Sequence, residues 1–520
     1  MRTLKFALFR LLGFNPQGWL LNTWRMAAWV QALESSKPSA AQAATRIAVV
    51  ITPWLGTSVP WYTLATGVLL AAKGNRLTFI LDDYPFGDSP VRYRFVLHCL
   101  QFVLGRLDAR HRVVVLSRQR AEAPPAQNGV SLIKRLARLN AVWALRGEML
   151  VAGRQRYTDR CIEQLSAANK PIAGFLQMET FDLLFIPGGV YGTSGLWAEH
   201  ACAAGIRVAS FDSGGYGTAM IACNGIACQL QDIPEAVRLL KARCAADPVE
   251  GRFAADSADA EMAKRRAGVD AFASQVQGGG SGDLRYDGAV LIALNSSWDA
   301  AALGLHSVYA DNTEWIVEST RYLLSHTTAS VIVRQHPAER LPIAHTTDDY
   351  RSLLRKHFGD HPRLHFIAAD QSINSYELLE RVAAVVVYTS TIGTEAAALG
   401  KPVITPSRSY YSRLGFVWQA TELHEYQALL SAAAKSELVV TSTMREDAKL
   451  CFYLTQVCNW VFTPFNPADF KDWIRIDPPQ LAGDAKTQSV LKSLQENVPV
   501  AFLNHLERWG EINAKKIQPI

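Results

Sequence analysis

The 520-residue chain is expected to be α/β, with two facing Rossmann-like domains and helical extensions at both ends. Three observations predict this. The length exceeds what one ordinary hydrophobic core supports, since cores stop growing near ~250–300 residues. Short β-branched runs alternate with helical stretches in two separate series, the pattern of parallel strands joined by right-handed crossovers. Between the series, residues 246–287 are rich in Ala, Gly, Ser and charge and contain GGGSG, a linker signal.

Residues 1–45 form an N-terminal segment. It carries Arg2, Lys5, Arg10 and Arg25, with no acid before Glu34. Its apolar runs are too short and interrupted for a spanning helix of ~20 residues. No small-residue cleavage site follows a proper apolar core, so a signal peptide is disfavoured. Two amphipathic segments broken at Asn15-Pro16 fit an anionic membrane surface or the flank of the first domain, and both readings stay open.

The first domain is expected over 46–245. RIAVVITPW reads as a buried strand, GTSVPWYTLATGVLLAAKGN as a loop and helix, and RLTFILDD as the next strand. Helical stretches at 91–106 and 130–170 flank the strand RVVVLS. FDLLFIPGG and IRVASFDSGG are strands on either side of the helix GLWAEHACAAG. The second domain, 288–440, opens on AVLIALNSS and continues through a helix near 311–325. The strands ASVIVRQHP and RLHFIAA follow, then a helix at 375–382, then VVVYTSTIGTEAAALG as strand, turn and helix, and KPVITP as a further strand. Residues 441–520 are a helical tail able to cap either domain.

Composition narrows the function classes. With 49% hydrophobic and 19% charged residues and 13 Trp, the chain can bury sizeable cores and is not disordered. A net charge of +6 is mild for this length and suits anionic small molecules or lipid headgroups. No basic run interleaved with aromatics points to nucleic acid. The eight cysteines show neither CxxC spacing nor His partners at zinc-like intervals, so they read as reduced core thiols of a cytoplasmic protein. There is no Asp-x-Asp, no His/Glu helix pair and no Cys cluster, so no metal and no cofactor are expected.

Open parallel sheets bind ligands outside the carboxyl ends of their strands. Every chemistry-bearing motif sits at such an end, which predicts an interdomain site. Ser390, Thr391 and Thr394 lie at a helix N-terminus, where free N–H groups and the positive dipole end favour phosphate. Glu395, further along, could accept from ribose hydroxyls. The alternative is capping by Ser390 or Thr391, with Glu395 stabilising the first turn. In VIVRQHPAE, Arg334 could pair with a phosphate, His336 could donate to it, and Pro337 fixes the turn. His361-Pro362 sits in a polar loop and reads as incidental. In the first domain, Gly188, Gly189, Gly192 and Gly195 allow tight turns or close approach to a ligand. Asp212 is the candidate general base, against the alternative of a turn-forming Asp, and Ser213 follows it. Asp82 and Asp83 form a competing pair of which one could serve, Asp83 being the competing candidate. Gly56, Thr57 and Ser58 make an expected acceptor loop.

RQHPAE, followed about fifty residues later by YTSTIGTEAAALGKPVI and preceded by VLIALNSSWD, resembles the bacterial capsule polysaccharide biosynthesis proteins. These are glycosyltransferases of the two-domain GT-B kind and include enzymes that transfer Kdo from CMP-Kdo. The resemblance covers about 290–415 best. It implies that His336, Pro337, Ser390 and Thr391 hold the donor's phosphate and that Glu395 lies near its ribose. Family members commonly show a Gln-containing strand end before the Asp; this chain has Asn295 before Asp299. The implied activity is metal-independent transfer of a sugar from a nucleotide-activated donor to a capsule or other surface polysaccharide, or to a lipid-linked acceptor. The implied place is the cytoplasm or the face of the inner membrane. Rival readings are a nucleotide-sugar 2-epimerase, which shares the Glu-Ala…Gly-Lys-Pro helix, a glycerophosphotransferase of the wall-polymer type, and a non-catalytic polysaccharide-assembly scaffold.

Overall fold

A computed structural model describes residues 15–35, 45–54, 57–87, 90–119, 129–149, 153–215, 217–269, 286–342 and 344–517. The chain divides into two units. The first runs to Ala137 and takes in Arg156–Asp232 and Asn459–Asn504; the second takes in Arg138–Gln155, Ile233–Cys458 and the residues from His505 on.

The first unit is built on β1 (Arg46–Ile51), β2 (Arg76–Leu81), β3 (Arg112–Val115), β4 (Leu183–Pro187), β5 (Arg207–Gly215) and β6 (Thr218–Ala222). Its seventh strand is β13 (Val461–Phe462), and the order is β13-β6-β5-β4-β1-β2-β3. β1 to β5 are parallel, while β6 and β13 run antiparallel to their neighbours. Residues 47–51 of β1 are all buried, as expected of an apolar run covered on both faces. The core joins Val49, Ile51, Phe79, Phe185 and Phe211 to the helix Val59–Ala72, which is buried along nearly its whole length.

The helix Pro16–Glu34 packs on this core through Trp19, Met26, Trp29, Val30 and Leu33. Asn15 caps it, its side chain accepting from Gly18 N at 3.1 Å, and Pro16 occupies the first turn, where a missing N–H costs nothing. Its outer side leaves Leu20, Leu21 and Trp24 exposed. Residues 1–14, half of the expected amphipathic segment, lie outside the described residues. Among those described, no helix is long and apolar enough to cross a membrane.

The second unit holds β7 (Val290–Ala293), β8 (Val331–Arg334), β9 (Leu364–Ile367), β10 (Ala384–Val387), β11 (Val403–Thr405) and β12 (Trp418–Gln419). All six are parallel, in the order β12-β11-β10-β7-β8-β9. Both sheets therefore reverse direction of winding at their centre, between β1 and β4 in the first and between β7 and β10 in the second. The expected fold class, two Rossmann-like domains with helical extensions, is what the chain has.

Four features differ from expectation. The 246–287 segment is not a plain linker, because Pro248–Arg266 is a helix of the second unit. Asp247 caps it through Val249 N at 2.9 Å, and Lys264, Arg265 and Arg266 complement the dipole at its far end. Glu250, Ala254, Ala258, Met262 and Arg265 form its buried stripe at helical spacing, which the Ala- and Ser-rich composition disguised. The GGGSG run lies outside the described residues. The helical stretch expected over 130–170 is two helices, Gly129–Leu145 and Arg154–Met178. Strands β6, β12 and β13 carried too little apolar periodicity to be read. The tail is shared: Ser442–Tyr453 packs in the second unit against Pro248–Arg266 and the helix Ile392–Ala398, whereas 459–504 returns to the first unit.

Candidate functional site

The centre of each sheet is a topological switch point, where adjacent crossovers leave to opposite sides and open a crevice at the carboxyl ends of the strands. In the second unit that crevice lies beyond β7 and β10. Asn295, just past β7, accepts the Thr389 N–H through Oδ1 at 3.3 Å and so ties the two strand exits together. Ser390 and Thr391 follow directly, leading into Ile392–Ala398. Neither acts as the expected cap. Thr391 is already helical in conformation and makes no capping hydrogen bond with its side chain. The Ser390 carbonyl is fixed instead, accepting the Tyr411 hydroxyl at 2.8 Å and Gly393 N at 3.0 Å. Gly393 is required there, because a Cβ would sit 2.6 Å from the Tyr411 hydroxyl.

His336 stands beyond β8, the strand on the other side of β7. With β7 between them, the exits of β8 and β10 are roughly 10 Å apart. The His336 Nδ1 accepts Ala338 N at 3.2 Å and starts the short helical turn Pro337–Arg340, with Pro337 in its first position. Burial, reinforced by the Arg334 charge, pushes the imidazole down to about 4. The ring is therefore neutral at physiological pH. An accepting Nδ1 leaves the proton on Nε2, a donor with no positive charge.

Two expected ligand contacts are withdrawn. Arg334 is buried, donating to the Ala368 carbonyl at 2.6 Å and the Ile373 carbonyl at 3.2 Å. It braces the loop after β9 instead of reaching for phosphate, and burial lowers its pKa to about 10, leaving it charged. Glu395 does not present itself to ribose. Its Oε1 accepts from Arg265 Nη1 at 2.8 Å and its Oε2 from the Tyr376 hydroxyl at 2.5 Å, all within the core of the second unit. Arg265 also donates to Gln456 at 2.5 Å and stacks over Phe452. No signal in the sequence pairs Arg265 with Glu395, 130 residues apart.

In the first unit the crevice beyond β1 and β4 is a cavity of about 320 Å³. It gathers Thr57, Ser58, Gly188, Asp212 and Ser213, five of the expected acceptor-side residues, together with Trp54. Gly188 and Gly189 take φ values of +65° and +98°, which only glycine adopts readily. A Cβ on Gly188 would touch the Trp54 ring at 3.4 Å, and one on Gly189 would sit 2.3 Å from Ile226. Gly189 thus allows close packing against Ile226. Asp212, a strand residue of β5 and not part of a turn, lines the cavity and also accepts the Ser213 N–H at 2.7 Å, so the local backbone bond and the cavity position coexist. Gly56 lies outside the described residues.

The competing carboxylates are structural. Asp83 accepts from both the backbone N–H (2.8 Å) and the hydroxyl (2.5 Å) of Ser117 and holds the exit of β3. Asp82 is buried, accepting from Thr193 Oγ1 at 2.6 Å and Trp197 Nε1 at 2.8 Å, and burial raises it to about 6. Neither lines the Asp212 cavity. The tail residues Pro467 and Ala468, which complete that cavity, were not anticipated; they lie some 410 residues from Ser58, whose hydroxyl donates to the Pro467 carbonyl.

The model of a family described as "Capsule polysaccharide biosynthesis protein" matches residues 287–453, the stretch holding His336, Ser390 and Glu395. The resemblance read from the sequence is borne out over this stretch. Similar solved structures include the Thermosulfurimonas dismutans KpsC β-Kdo 2,4 transferase, 13% identical, covering 58% of this chain and 88% of that one at a TM-score of 0.35. The KpsC β-Kdo 2,7 transferase of the same organism is 14% identical, covering 68% and 97% at 0.31. A Methanocaldococcus jannaschii UDP-GlcNAc 2-epimerase solved with UDP-GlcNAc and UDP is 11% identical, covering 78% and 98% at 0.24. No curated protein matches the chain. At these identities and TM-scores, function has to be read from the residues themselves.

Proposed function

We propose that the chain is a glycosyltransferase of capsule or related surface-polysaccharide synthesis. The second unit would take a nucleotide-activated sugar, CMP-Kdo being the candidate donor, and the first unit a saccharide or lipid-linked acceptor. The observation that carries this reading is the second switch point. There a neutral imidazole with its proton on Nε2 follows β8 and two hydroxyls not engaged in capping follow β10, the two strand exits flanking that of β7. Such donors suit the phosphate of a departing nucleotide, whose growing negative charge they would meet by electrostatic preorganisation.

In this reaction the acceptor hydroxyl attacks the anomeric carbon, the bond from that carbon to the phosphate oxygen breaks, and the nucleotide leaves with the electron pair. Asp212 is the proposed base that takes the hydroxyl proton. Glu395 and Arg334 act indirectly, by holding the crevice's walls in place. The exposed Leu20, Leu21 and Trp24 beside Arg25 support peripheral association with an anionic membrane face, where a lipid-linked acceptor would reside.

The test combines nucleotide binding with transfer. Thermal shift with CMP, UDP, GDP and their sugars should reveal one stabilising nucleotide. His336→Ala should lower transfer about 10²–10³-fold, the usual effect of removing one charge-stabilising donor. Absence of any nucleotide shift would favour the scaffold reading. Release of free nucleotide and sugar without any acceptor would favour the epimerase.

A further inference from the structure

Beside the Asp212 cavity lies a second one of about 360 Å³, bounded by the helix Pro16–Glu34 and the segment 468–472 of the first unit, which enters the short helix Phe470–Trp473. Thr57, Ser58 and Ala468 line both cavities, so a single lip separates them. Each alone is at the small end of the ~300–1,000 Å³ spanned by small-molecule sites, while the two together match a ligand of more than one ring. The second cavity has an aromatic floor, Trp19 and Trp61 at 5.4 Å with Phe470 stacked on Trp61 at 6.0 Å. Its rim is polar: Asn22, Asp469, Lys471 and Asp472.

The walls are held firmly. Asn466 Oδ1 accepts the backbone N–H groups of Ala468 and Asp469 at 3.0 Å, its Nδ2 donates to Asp469 Oδ2 at 3.0 Å, and Trp473 Nε1 donates to its carbonyl at 3.2 Å. Ser58 pins the facing loop to Pro467. A pre-formed trough with an apolar floor and a rim of amide, carboxylate and ammonium groups matches a polyhydroxylated chain, which presents C–H faces below and hydroxyls at its edges.

We infer that this second cavity is an extended acceptor subsite, which holds the saccharide units behind the reacting end and selects chains longer than one or two sugars. The inference rests on the acceptor reading of the first unit. It also gives the N-terminal helix a role, since Trp19 and Asn22 come from that helix.

The probe is a hydrolysate of bacterial capsular polysaccharide, fluorescently labelled and sized into a mono- and disaccharide fraction and a tetra- to hexasaccharide fraction. Binding to the intact chain is read by fluorescence anisotropy. The long fraction should bind about tenfold more tightly than the short one, the equivalent of ~1.4 kcal/mol. Asn22→Ala combined with Lys471→Ala, both rim substitutions that leave the aromatic floor untouched, should remove that advantage and leave the short fraction's affinity as it was. Equal binding of the two fractions by the native chain overturns the inference, as does a variant that weakens both equally or binding of neither. The nucleotide thermal shift separates the two levels. A shift that persists while length selection is absent sinks the subsite alone, and loss of the shift sinks the glycosyltransferase reading itself.

Discussion

The two switch points share a topology and differ in furniture. The first sheet opens onto a cavity walled by Trp54 and the left-handed Gly188, with one carboxylate, Asp212, on its lining. The second opens onto hydroxyls, an amide and a neutral imidazole, with its carboxylate and its guanidinium both drawn into the interior. An aromatic wall with a carboxylate would suit the proposed sugar acceptor, whose hydroxyl must lose a proton. A crevice of uncharged donors suits a phosphate that must be held and then released. Topology thus supplies a place in each unit, and side-chain chemistry decides what the place can hold.

Asp212→Asn breaks this division most directly. If Asp212 is the base, transfer should fall by roughly 10²–10⁴-fold while the nucleotide thermal shift stays at the native value. The amide oxygen can still accept the Ser213 N–H, so the folding transition should move little. Loss of nucleotide binding together with transfer would show that the first crevice is not reserved for acceptor.

Much of this arrangement was legible in the sequence, for a physical reason. Strand, turn and helix alternation with β-branched runs fixes the parallel part of each sheet, and carboxyl-end loops then follow from topology. His336, Ser390 and Thr391 were placed in strand-end loops because each follows an apolar strand, and Asp212 was placed at a strand end that the structure puts within β5. Arg334 and Glu395 were placed in the same loops but assigned the wrong partners. Local spacing says where a side chain starts, and a charged one is captured by whatever opposite or polar group tertiary packing delivers. For Glu395 that group is Arg265, from a segment whose small-residue composition read as a linker. For Arg334 it is a pair of carbonyls in the loop after β9.

Arg265→Ala sharpens the contrast between structural and ligand-facing charge. Removing one partner of a buried ion pair typically costs about 3–5 kcal/mol, since the other charge is left uncompensated. Here Glu395 would keep only the Tyr376 hydroxyl. The thermal transition of the second unit should drop accordingly, and a paired Arg265→Met, Glu395→Leu variant should recover a large share of the loss. A native transition in Arg265→Ala, with nucleotide binding lost, would instead return Glu395 to the ligand site.

The smallest expected effect is a pH dependence, and its sign separates two kinds of phosphate holder. Burial and the Arg334 charge hold the His336 imidazole near 4, against about 6.5 for an ordinary histidine. Between these values the unfolded chain carries a proton that the folded ring refuses. Stability from this group is accordingly intact above pH 6.5 and declines as pH falls toward 4. Nucleotide affinity attributable to the ring should stay flat from pH 5 to 8, because the same neutral Nε2–H donor is present throughout. An imidazolium holder would behave oppositely, losing affinity as pH rises through 6.5. Titrating nucleotide binding in native chain and in His336→Asn across this window distinguishes them. A native-only loss of affinity on raising the pH would mean that the second crevice grips its anion by charge, and the uncharged character ascribed to it would fail.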